Sequence, residues 1–102
     1  MEFDGFDWDR GNREKCQKHG VSLAEIEELF RGFVLAGPDA RHSAAEERFR
    51  AIGMTADQRG VFVAFTWRLR DKQRLIRPVS ARYMHQKEVS AYEKKVSRSE
   101  NR

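Results

Sequence analysis

Cysteine is nearly absent. Cys16 is the single one among 102 residues, which excludes an internal disulfide and a cysteine-built metal cluster. It reads as an ordinary small helix residue. No apolar run approaches the roughly 20 residues that a bilayer span needs. Met1 is followed by acidic and aromatic residues, not by the basic start and apolar stretch of a secretory signal. A cytoplasmic protein with no membrane partner is therefore expected. There is no P-loop, GxGxxG, HExxH or zinc-spaced Cys/His set, so no cofactor or metal is expected. The three histidines, His19, His42 and His85, are scattered through different segments.

What is present suffices for one small core. The chain is 39% apolar and 35% charged, with seven Phe, two Trp and two Tyr. That composition predicts a globular domain with polar ends, not a disordered chain. The domain is read over residues 1–96, with 97–102 (SRSENR) as a polar tail. Net charge is +4 but uneven. Residues 1–30 carry four Lys/Arg against eight Asp/Glu, whereas residues 61–82 carry six against Asp71 alone. A basic segment of this kind suits a phosphate-bearing partner, and it equally suits a solvated basic face.

Residues 2–8 (EFDGFDW) alternate loosely and predict a short strand. Asp9 can cap a helix over 10–18, which Gly20 ends. Ser22 followed by Glu25 is a capping box, and Leu23, Ile26, Phe30 and Phe33 share a face of the helix it opens. Residues 36–44 read as a loop. Strands are predicted at 46–54, 61–68 and 73–81, joined by turns at TADQRG and LRDK. A helix is predicted over 83–96, with Val89, Tyr92 and Val96 on one face. The expected fold is α+β in the order β-α-α-β-β-β-α: an antiparallel sheet with two N-terminal helices and one C-terminal helix packed on it.

Alternation along 61–68 separates Val61, Val63, Phe65 and Trp67 from Phe62, Ala64, Thr66 and Arg68. Along 74–82 it puts Arg74, Ile76, Pro78, Ser80 and Arg82 on one face and Leu75, Arg77, Val79 and Ala81 on the other. Arg77 is thus expected apart from Arg82 and paired with Glu46 or Glu47. The surplus of arginine, close to Trp67 and Tyr83, suits RNA, because guanidinium groups hold phosphates and rings stack unpaired bases. Cleavage through the ribose 2′-hydroxyl requires a base, an acid and cations for the developing charge, but no metal. The arginine fork matches phosphate oxygens. Lys18, His19, His42, Glu46 and Glu47 are the acid–base candidates, and composition does not choose among them.

Three blocks of the chain, in order, resemble the BrnT toxins: FDWDRGNREKCQKHGVS (6–22), HSAAEERFRAIG (42–53) and IRPVSARYMHQKEVSAYE (76–93). The resemblance implies a RelE-like ribonuclease fold and a toxin of a type II toxin–antitoxin pair that cuts RNA and inhibits translation. It also implies a BrnA-type antitoxin that neutralises the toxin and carries DNA-binding capacity. The polar residues that match are Lys18, His19, His42, Glu46, Glu47, Arg48, Arg77, Ser80, Arg82 and Tyr92. Taken with the strand-borne cations, the catalytic candidates are His19, Glu47, Arg68, Arg77 and Arg82. The substrate-binding candidates are Lys18, His42, Arg48, Trp67, Arg74, Ser80 and Tyr92. The alternative is a non-catalytic RNA- or protein-binding module on the same fold, acting in operon regulation. The chain departs from the family at Arg10, where the family has Pro, and at Pro78, where it has a β-branched residue. Proline cannot donate a ladder hydrogen bond, which bears on the pairing of the last strand.

Overall fold

The computed structural model describes residues 1–42 and 45–100. The first strand, β1, is only Gly5–Phe6, shorter than residues 2–8 predict. Helix α1 (Arg10–Gln17) opens on a reciprocal cap: Asn12 N–H donates to Asp9 Oδ1 at 2.9 Å, and Asp9 N–H donates to Asn12 Oδ1 at 2.7 Å. Helix α2 (Leu23–Arg31) opens on the expected Ser22–Glu25 box. Each box satisfies two N–H groups that a helix start otherwise leaves unpaired. In α2 the buried residues are Ile26, Leu29 and Phe30, whereas Phe33 falls past the helix end and is exposed, against expectation.

Strand β2 (Leu35–Pro38) occupies part of the segment expected to be loop, and a short 3-10 turn over Ala40–His42 follows it. The rest of that expected loop, residues 43–44, lies outside the described residues. Strand β3 (Phe49–Met54) begins three residues later than predicted. Strands β4 (Gly60–Arg70) and β5 (Gln73–Tyr83) form a long hairpin closed by Asp71 and Lys72. Both turn residues have positive φ, 49° and 67°. A two-residue loop of this primed type matches the twist of the flanking strands. Helix α3 (Gln86–Glu100) runs on beyond residue 96, so residues 97–100 of the expected tail are helical and 101–102 lie outside the described residues.

The sheet order is β1-β5-β4-β3-β2. Strands β3 to β5 form the expected antiparallel meander, and the unforeseen β2 extends it by one strand. β1 instead pairs parallel with β5, so the sheet is mixed, not antiparallel throughout. The two N-terminal helices explain this. They carry the chain from one sheet edge to the other across a single face, where Cys16, Ile26, Leu29 and Phe30 meet Val61, Val63, Phe65 and Ile76. Phe30 lies edge-on to Phe65, Phe6 and Phe3 at ring separations of 5.1, 6.0 and 6.4 Å, which fastens β1 to the core. Helix α3 sits on the opposite face. Its Val89 comes so close to the sheet that a Cβ on Gly60 would lie 2.9 Å from it. Among the described residues no helix is long and apolar enough to cross a membrane.

One irregularity decides what the sheet presents. Phe65 pairs with Pro78, but Ala64 pairs with Ser80, so Val79 is an extra residue in β5. β4 stays in unbroken register with β3 across the same point. The bulge therefore belongs to β5 and inverts its alternation. Ile76 and Pro78 face the helix-covered core before it, and Ala81 faces the core after it.

Candidate nucleic-acid interface

The inverted alternation places Arg77, Ser80 and Arg82 on one face. Their partners across the ladder are Thr66, Ala64 and Phe62, and Arg68 follows on the same side of β4. The expected separation of Arg77 from Arg82 is overturned, because strict alternation cannot hold through a bulge, and it is Arg74 that lies on the other face. The face has a small-residue floor, with Ala64 and Thr66 buried, and a rim of guanidinium groups.

Arg68, Arg70, Arg77 and Arg82 are each oriented by a carboxylate of the same chain. Arg77 donates to Asp9 Oδ2 at 2.7 Å and to Asp7 Oδ2 at 3.5 Å. Arg70 reaches the same Asp7 at 3.3 Å. Arg68 pairs with Glu46 and donates to Thr66 Oγ1 at 3.3 Å. Arg82 holds Glu88 end-on, with Nη1 and Nη2 donating to its two carboxylate oxygens at 2.8 and 2.9 Å, and its guanidinium lies 4.8 Å from the Phe62 ring centre. The expected partner of Arg77, Glu46 or Glu47, is thereby corrected. Asp7 and Asp9 reach Arg77 because β1 lies beside β5, so the acidic start of the chain is folded against its basic segment.

These pairs fix the charges. Burial opposes the charge on Arg77, but the Asp9 hydrogen bond and charge, then Asp7, outweigh it and raise its pKa. The Glu88 bonds raise that of Arg82. Glu88 is pushed down to about 2, first by Arg82 and next by the His85 N–H. A carboxylate that acidic is a poor general base at neutral pH, so Glu88 serves to aim Arg82. Asp9 is lowered first by the Asn12 N–H and then by Arg77. The side chains of Arg68, Arg77 and Arg82 remain 30, 22 and 39% exposed, which leaves donor atoms accessible to a ligand.

Other candidates lie elsewhere. Trp67 and Arg74 belong by register to the helix-covered side, opposite the arginine face, with the guanidinium carbon 3.6 Å from the indole centre. Lys18 and His19 are exposed between α1 and α2; the next residue, Gly20, accepts from the Tyr83 hydroxyl at 3.4 Å. Among the described residues no hydrogen bond or ion pair joins Lys18, His19 or Glu47 to the arginine face. His42 stands on the β2–β3 connection, as does Glu46, and its Nδ1 lies 2.9 Å from Asp39 Oδ2. Arg48 lies on the same connection, where its carbonyl accepts from Asp39 N–H at 2.7 Å. Tyr92 is buried on α3.

Asn12 is the residue that sequence reasoning missed. Besides capping α1, its Nδ2 donates to Asp7 O and to Pro78 O, both at 2.9 Å. One buried amide thus ties β1, the start of α1 and the β5 bulge together. The Asp-x-x-Asn spacing signals the cap, and nothing local signals the bond to residue 78. Among the described residues no group of three His, Cys, Asp or Glu side chains could hold a metal.

Comparison with known proteins bears on this geometry. Residues 8–88 match the model of a family described as the ribonuclease toxin BrnT of type II toxin–antitoxin systems. No curated protein matches the chain.

Proposed function

This chain belongs to the BrnT family of ribonuclease toxins of type II toxin–antitoxin systems, and from that premise we propose that it is a metal-independent endoribonuclease whose arginine face holds the scissile phosphate. One observation carries the reading: the β5 bulge gathers Arg77 and Arg82 with Arg68 on one face, each fork pre-aimed by a carboxylate. Donors fixed in advance stabilise charge that develops on phosphoryl oxygens without reorganising during the reaction. In the proposed step the ribose 2′-oxygen attacks phosphorus and the bond to the 5′-oxygen breaks. The products are a 2′,3′-cyclic phosphate and a 5′-hydroxyl, the latter protonated by water.

His42 is the proposed base. With its proton on Nδ1, shared with Asp39, the exposed ring presents Nε2 as an acceptor. Ser80 and Thr66 supply hydroxyls on the floor beneath the phosphate. Among the described residues neither His19 and Glu47, first choices on sequence, nor His42 makes a hydrogen bond or ion pair with this face; His42 is preferred because Asp39 orients its ring. In the cell the chain would act in the cytoplasm, where cutting messenger RNA inhibits translation. A BrnA-type antitoxin is the proposed partner, covering part of the basic face and binding DNA in the complex. The alternative, a non-catalytic module serving operon regulation, predicts RNA binding without cleavage.

The test is incubation of the purified chain with RNA in EDTA. Cleavage leaving cyclic phosphate ends is expected. No cleavage with or without metal defeats the ribonuclease reading for this chain, and cleavage abolished by EDTA defeats the metal-free mechanism.

A further inference from the structure

Beside the arginine face, a groove of about 570 Å³ opens between α3 and the sheet. Its floor includes Ile52 and Phe62, its wall Ala91 and Tyr92, and its edges carry Arg50 and Lys95. It begins where the arginine face ends. Glu88, the bidentate partner of Arg82, lines it, and the Arg82 guanidinium lies over the ring of Phe62. We propose that this groove is a nucleotide subsite, receiving the unpaired base next to the phosphate held by Arg82.

The inference rests on the ribonuclease reading and deepens it. A strand whose phosphate sits on Arg82 must send an adjoining base somewhere, and the groove is the neighbouring concavity. Its chemistry fits a base and its sugar phosphate: apolar and aromatic surface for the ring faces, cationic side chains at the edges. Its size falls in the ordinary range for small-ligand pockets, roughly 300–1,000 Å³. The carboxylate that lines it, Glu88, is already neutralised by Arg82 and does not repel the backbone. A base stacked inside a duplex cannot enter such a slot, so the subsite selects single-stranded RNA. An acidic protein segment meets the same cations, but it does not account for continuity with a phosphate site on the floor of the sheet.

The experiment uses the full chain and a 2′-O-methyl RNA octamer, which lacks the attacking hydroxyl and so is not cut. Backbone amide shifts are followed at Gly37, Ile52 and Ala91 during titration with the octamer and with its duplex. Ala91→Trp fills the groove from an exposed helix position, and Ala91→Glu repeats the test by charge if the indole disturbs α3. The groove amides are expected to move with the single strand. Both variants are expected to lose about tenfold in single-strand affinity, the effect of one lost base contact, at unchanged melting temperature. If only the arginine-face residues respond, or if the variants bind as tightly as the wild type, the subsite is refuted while the ribonuclease reading stands. Groove amides that move with the antitoxin but not with the octamer also refute it. Cleavage of unmodified RNA, measured separately, decides the ribonuclease reading.

Discussion

Replacing Asn12 by alanine removes three side-chain hydrogen bonds at the junction on which the arginine face depends. Asn12 Nδ2 donates to Asp7 O and Pro78 O at 2.9 Å each, and Oδ1 accepts from Asp9 N–H at 2.7 Å. The side chain is buried, only 6% exposed, so water cannot readily substitute. A net contribution near 1 kcal/mol per bond gives a loss of about 3 kcal/mol. In a domain of this size that corresponds to a fall in melting temperature of roughly 15 °C. Urea denaturation followed by circular dichroism measures it, and a change in midpoint without a change in slope identifies a stability effect. Asn12→Asp is expected to do no better. It keeps the acceptor for Asp9 N–H but loses both donors and adds a carboxylate beside Asp7 and Asp9. An alanine variant within about 1 kcal/mol of the wild type, below the sum expected for three buried bonds, would refute the claim that this amide holds β1, α1 and the bulge together.

Lys72 has a φ of 67° in the β4–β5 turn, and Lys72→Gly is expected to raise stability by about 1 kcal/mol, since glycine takes that conformation without strain; an unchanged unfolding midpoint counts against the turn geometry. Cys16 is buried and its thiol is pushed up to about 11 by burial, so it should resist a thiol reagent at pH 8 until the chain is unfolded, and rapid labelling of the native protein would contradict the packing. Glu88 titrates near 2 when folded. The stabilisation from its lowered value is therefore complete above the ordinary glutamate range and is lost as pH falls toward about 2. Glu88→Gln should flatten that acid-side loss in thermal melts, and an unaltered acid profile would show that the Arg82 pair is not responsible.

The parts of the fold that local chemistry dictates were legible. Ser22 with Glu25, Asp9 as a cap and the aromatic run of β4 read correctly, as did the turn at Asp71 and Lys72, although the expected turn began two residues early, at Leu69. Each depends on residues within a few positions. The segment Leu35–Pro38 did not read as a strand, since Gly37 and Pro38 give it the signature of a loop and its pairing with β3 supplies what propensity lacks. The parallel pairing of β1 is a consequence of two helices crossing one face, which no single segment encodes. The candidate site was legible in residue type and obscure in arrangement. Arginine surplus pointed to phosphate, but counting by twos along β5 separated Arg77 from Arg82. Pro78 was the visible sign that the count could fail. The bulge lies immediately after it, and Asn12 takes up its carbonyl. Arg77 and Arg68 find carboxylates 68 and 22 positions away, distances at which sequence spacing carries no information.

The central claim is that the bulge makes Arg77 and Arg82, not Arg74 and Arg82, one phosphate-handling face. Initial rates of RNA cleavage in EDTA for the wild type, Arg77→Gln, Arg82→Gln and Arg74→Gln test it directly. Loss of one pre-aimed donor predicts a fall of about 100-fold or more for Arg77→Gln and Arg82→Gln. Arg74→Gln, on the opposite side of the sheet, should stay close to the wild-type rate. A large loss in Arg74→Gln with Arg77→Gln unaffected would mean that the alternation runs straight through residue 79 and that the face described here is not the one that works on RNA.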